Sequence, residues 1–137
     1  MFQQGVLDLP RARGLLLAPL GRAPIAMVDL RDVAACAVAA LLEPQPASAA
    51  WQITGPRGVT LEDVAALLGA RYAPVPPRLA ARVLAHRGAS PFEVDHALRM
   101  SVYFASGADG VATDHVQRLT GRTPRPIEAL VNHRTED

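Results

Sequence analysis

The residues able to do chemistry fall into a few local groups. Asp29, Arg31 and Asp32 set two carboxylates and a guanidinium within four positions, just ahead of a long apolar run. They could be read as a charged functional cluster. An acid immediately before a helix and another in its first turn are also what capping and the helix dipole favour, and a cap with a local ion pair accounts for all three. The histidines are His86, His96, His115 and His133. Asp95-His96 and Asp114-His115 invite a metal reading, but neighbours in a helix point in different directions. The sequence holds no His-x-x-x-His, no His-Glu-x-x-His and no cysteine cluster, so no metal ligand is assigned. His86 and His133 fall near helix C-termini, where the dipole accommodates positive charge.

Cys36 is the single cysteine, which excludes an internal disulfide; set among alanines, it reads as buried packing rather than a nucleophile. No Gly-x-Ser-x-Gly elbow is present. All 14 basic residues are arginine, so chemistry that needs a lysine, such as a Schiff base or a Tyr-x-x-x-Lys pair, cannot be run by this chain alone. No catalytic residue is assigned. Arg118, Arg122, Arg125 and Arg134 make the C-terminal region locally basic; a phosphate or an acidic partner could use them, but a solvated face is the simpler account. Phe92, Met100, Tyr103 and Phe104 concentrate scarce large side chains on one helix, at spacings that core packing explains.

The elements that carry these residues are mostly helices. Asp29 caps a helix over Leu30–Leu42, with Pro44 after its end. Thr60 and Asp63 form a capping box before a helix that stops near Gly69. A helix over Pro77–His86 ends at Gly88. Ser90 caps the next, with Pro91 first in the helix, Glu93 closing the box and Gly107 at the end. Thr113 is the expected cap of a short helix closed by Gly121, and Pro126 opens the last one. Strands are expected at Leu15–Ala18, Ile25–Val28, Trp51–Thr54 and Tyr72–Val75. The alternation predicts an α/β fold, with a small, mainly parallel sheet and about six helices, as one domain over residues 1–137.

Composition narrows the partners. Net charge is +1, with 20% charged residues and half apolar; this is globular, and it gives no reason to expect nucleic acid or an anionic membrane. The apolar run 33–42 is too short to span a bilayer, and "MFQQG" lacks the pattern of a signal peptide. A cytoplasmic protein is expected.

Three segments taken together resemble a known family. "IAMVDLRDVAACAVAALLEP", "WQITGPRGVTLEDVAALLG" and "GADGVATDHVQRLTGRTPRPIEALVNHR" are similar, in order and spacing, to the C-terminal half of NmrA-like proteins, atypical members of the short-chain dehydrogenase/reductase superfamily. "MFQQ" resembles the start of that half. The resemblance implies the substrate-side lobe of a two-lobed NAD(P)-dependent oxidoreductase or redox sensor. It also implies pocket candidates at Phe2, Gln3, Phe92, Met100, Tyr103 and Phe104. The glycine-rich turn that seats a dinucleotide is not in the sequence. This chain by itself is therefore expected to bind no cofactor, with NAD(P) implied by family resemblance only.

The helix over Leu30–Leu42 has no polar face from Val33 onward, and such a helix needs cover on several sides. Leaving about 400 Å² of apolar surface open forgoes roughly 10 kcal/mol. A homo-oligomer, a separate Rossmann-type partner chain or poor stability is expected to follow. Two functional readings stand at this point. One is a truncated or stand-alone substrate lobe acting on a small molecule and not catalytic alone; the other is a non-enzymatic interaction module that self-associates or pairs with a Rossmann-type protein.

Overall fold

The computed structural model describes residues 11–12, 14–43 and 49–134. Phe2, Gln3 and Pro44, named above, lie outside this range, as do the side chains of His133 and Arg134. The chain is α/β: β1 (Arg11–Ala12), β2 (Leu15–Ala18), α1 (Leu30–Leu42), α2 (Leu61–Leu67), β3 (Arg71–Pro74), α3 (Pro77–His86), α4 (Pro91–Ala105), α5 (His115–Thr120) and α6 (Ile127–Arg134). It divides into two compact units, one of residues 1–8, 26–59 and 111–137, the other of residues 9–25 and 60–110.

The second unit holds the sheet, in the order β1-β2-β3. β2 and β3 run parallel with Leu15 opposite Arg71 and Ala18 opposite Pro74, and β1 adds a short antiparallel edge. A parallel pair needs a crossover, and this one contains α2. Leu16 and Ala18 are buried while Leu15 and Leu17 are more open, the alternation of a half-covered strand. The Tyr72 phenol donates to the Ala18 carbonyl at 3.0 Å, and burial pushes its pKa up. It acts as a clamp between neighbouring strands. The helices begin where their caps dictate: Thr60 with Asp63, and Ser90 with Glu93, form reciprocal capping boxes, and Pro91 opens α4. α3 and α4 then pack as a helical hairpin.

At Gly21 the backbone is left-handed, φ 67°. A Cβ there would stand 2.8 Å from the Ala105 Cβ and 3.0 Å from its Cα. Gly21→Ala combines a disfavoured backbone with a clash and should cost about 2 kcal/mol. Thermal denaturation would show it, and an unchanged melting temperature would mean that the end of α4 yields freely.

The first unit is built on α1, which packs against α5. Its N-cap is Asp29, whose carboxylate accepts the Arg31 N–H. Asp32 and Cys36, four residues apart on one face, are the buried residues of the helix. Burial, followed by the charge of Asp32, pushes the Cys36 thiol up. Beyond Cys36 the helix stands open: Val38 is 54% exposed, Leu41 84% and Leu42 76%. The absence of a polar face in the sequence thus corresponds to an apolar face that the described residues leave open.

Two expected strands are not strands among the described residues. Ile25 and Val28 make only single-residue bridges, and 51–54 joins no ladder. Thr113 is not the cap of α5. Asp114 occupies that position without a side-chain cap bond, because the Thr113 hydroxyl donates instead to the Gln52 carbonyl at 2.6 Å.

Candidate functional site

In the first unit, the acidic start of α1 is fully committed to arginines. Asp29 is completely buried, and both of its oxygens are taken by Arg31, whose Nε lies at 3.0 Å and Nη2 at 2.7 Å. Asp32, 4% exposed, accepts the Arg125 backbone N–H at 2.6 Å and pairs with the Arg125 guanidinium. Neither carboxylate is placed to accept a proton from a substrate. The local cap and ion pair read from sequence are present. The pairing with Arg125 was not read: its only signal is the co-occurrence of the Val-Asp-x-Arg-Asp and Thr-Gly-Arg-x-Pro-Arg segments.

The segment 51–54 is held by side chains rather than by a strand ladder. His115 Nδ1 accepts the Gln52 N–H at 2.9 Å. The same nitrogen lies 3.1 Å from the Gln52 carbonyl, but the Gln52 N–H can only donate, so that contact sets the tautomer, with the ring proton on Nε2. Buried Thr54 accepts the Thr113 N–H at 2.8 Å. Trp51 meets the His115 ring edge-on at 5.2 Å and carries the Arg118 guanidinium 5.2 Å over its face. His115→Ala should therefore cost about 1 kcal/mol through the orphaned Gln52 N–H. It should also shift the emission of Trp51, the single tryptophan, to longer wavelength; an unchanged spectrum would refute the contact.

In the second unit, α3 and α4 enclose a groove of about 520 Å³ lined by Pro76, Leu79, Ala81 and Leu98, with Arg78 and Arg82 beside them. It is mainly apolar with two cations, a surface suited to a conjugated or aromatic molecule with an anionic edge. The sequence-derived candidates on α4 do not line it. Phe92 is 77% exposed and stacks on His96 at 6.1 Å. Phe104 is buried, with Tyr103 edge-on at 5.5 Å, and Met100 is half-buried. Phe92 and Phe104 share a helix but stand about 18 Å apart along its axis. Leu98 was missed because a lone leucine on an amphipathic helix carries no distinguishing signal.

The described residues form no group of three or more His, Cys, Asp or Glu able to hold a metal. A dinucleotide pyrophosphate does not fit them either. α1 to α5 open on Asp29, Thr60, Pro76, Ser90 and Asp114, not on glycine turns. Nor is any helix among the described residues long and apolar enough to cross a membrane.

The backbone is similar to that of an NADPH-dependent quinone oxidoreductase from Escherichia coli, with a TM-score of 0.80 and 19% identity. The match covers 97% of this chain and 49% of that one. The fold is that of about half of that chain.

In sequence, the chain is 35% identical over 123 residues to (4-alkanoyl-5-oxo-2,5-dihydrofuran-3-yl)methyl phosphate reductase of Streptomyces griseus, over 85% of this chain and 43% of that protein. It is 32% identical over 133 residues to NAD(P)H azoreductase of Xenophilus azovorans, over 91% of this chain and 44% of that protein. The chain thus spans less than half the length of the curated relatives it matches. The sequence matches no family model. Its neighbours in fold and sequence include NADPH- and NAD(P)H-dependent reductases.

Proposed function

We propose that this chain is the C-terminal, substrate-side lobe of an NmrA-like, atypical short-chain dehydrogenase/reductase. The observation that carries the reading is the reductase fold matched over 97% of this chain but 49% of the neighbour. In the assembled enzyme the nucleotide-binding half holds NAD(P)H and this lobe presents the organic substrate. The relatives named above reduce an unsaturated furanone phosphate or an azo compound. A small conjugated acceptor that takes up a hydride and a proton is the matching substrate class here. The groove of Leu79 and Leu98 supports this by offering apolar walls to a flat molecule. By itself the lobe neither holds a dinucleotide nor transfers hydride.

Fluorescence titration with NADPH and NADH tests the reading. The chain alone should show no micromolar binding; mixed with a nucleotide-binding half from an NmrA-like reductase, it should restore cofactor-dependent dye or quinone reduction. Micromolar binding by the chain alone would overturn it.

A second reading, a non-enzymatic module acting through self-association, is favoured by one observation, the open apolar face of α1. Dimerisation without any reconstituted activity would select it.

A further inference from the structure

A cleft of about 280 Å³ lies in the first unit, between the start of α1 and the turn that follows α5. Arg31, Arg122 and Arg125 converge on it, together with Asp32 and Thr123. Three guanidiniums face two carboxylates, since Asp29 stands behind Arg31. Both carboxylates are already engaged: Asp29 by the Arg31 Nε and Nη2, and Asp32 by the Arg125 backbone N–H and guanidinium. One positive charge is left over, and it falls on Arg122, which is exposed and forms no ion pair among the described residues.

The two ion pairs have a further effect. They fix the orientation of Arg31 and Arg125 before any ligand arrives, so their donors lose little freedom on binding. Arg31 has its Nη1 outside the contacts with Asp29. Thr123 is exposed and adds a hydroxyl, whereas the Thr120 hydroxyl already donates to the Val116 carbonyl at 2.7 Å. Arg118, which the sequence groups with these arginines, lies over Trp51 instead.

We propose that this cleft binds a tetrahedral oxyanion, the phosphate group of a small ligand or inorganic phosphate itself. Planar guanidinium forks match phosphate oxygens bidentately. Donors arriving from two elements suit a group with three equivalent oxygens better than a flat carboxylate. The site is distinct from the groove between α3 and α4, and it does not depend on the reductase reading.

The test is ³¹P line broadening with the full chain, using inorganic phosphate and phenyl phosphate as probes. Arg122→Gln should weaken binding about tenfold, the loss of one charge-assisted hydrogen bond. Thr123→Val should weaken it about threefold. Arg87→Gln, which removes the same charge from an exposed position outside both clefts, should leave it unchanged. Both positions in the cleft are exposed, so circular dichroism melts of these variants should overlay the parent. Equal affinity for the two probes means that the anion alone is recognised, and tighter phenyl phosphate means a phosphorylated organic ligand; either supports the site. The proposal is overturned by an absence of broadening, by equal losses in Arg122→Gln and Arg87→Gln, or by benzoate competing as well as phenyl phosphate.

Discussion

Leu41→Glu with Leu42→Glu should convert an associating protein into a monomer. The wild-type chain is expected to pair at micromolar concentration, with itself or with a supplied nucleotide-binding half, because the outer face of α1 is apolar and open. Leu41 is 84% exposed and Leu42 76%, so nearly the full transfer free energy of each side chain is available on covering. At about 2 kcal/mol per leucine the pair contributes roughly 4 kcal/mol, or a factor of about 10²–10³ in the association constant. Neither residue is buried within the chain, so the variant should melt like the parent. Sedimentation velocity across a concentration series reads the effect. A parent that sediments as a monomer and binds no apolar dye would sink the prediction.

Asp32→Ala should be the most damaging single substitution for the fold. Asp32 is 4% exposed, accepts a backbone N–H from a residue 93 positions away and balances the Arg125 guanidinium. Removing one partner of a buried pair costs about 3–5 kcal/mol. The Arg125 side chain retains 39% exposure and can turn toward water, so the expected loss lies near the lower end, about 3 kcal/mol. That corresponds to a fall in melting temperature of roughly 10 °C for a chain of this size. Arg125→Gln in a double-mutant cycle would isolate the pair. If Asp32→Ala melted with the parent, the carboxylate would have no structural role and the positioning of the cleft arginines would need another cause.

The features legible in the sequence are those governed by residues a few positions apart. Ser90, Pro91 and Glu93 specify where α4 begins without reference to the rest of the chain, and Thr60 with Asp63 does the same for α2. The bounds of α1 and α3 follow from a cap or proline at one end and a helix breaker beyond the other. What could not be read depends on partners far along the chain. Residues 51–54 have the composition of a strand, yet a strand requires a neighbouring backbone, and in this chain Gln52 finds the His115 ring and the Thr113 hydroxyl instead. Thr113 looked like a cap because it precedes a helix; its hydroxyl is drawn away by a group 61 positions earlier. The aromatic positions of α4 illustrate the same limit, since spacing shows that Phe92 and Phe104 share a helix but not which of them meets the core. Composition could suggest an α/β lobe, but not that Arg31 and Arg122 border one cleft.

Cys36 gives the first unit its own clock. The chain's lone thiol is 3% exposed on the buried face of α1, and burial, which pushes its pKa up, disfavours the reactive thiolate. A maleimide can reach it only when the helix lifts. The labelling rate therefore counts those openings directly, and any molecule that settles on the bare side of α1 will slow the count.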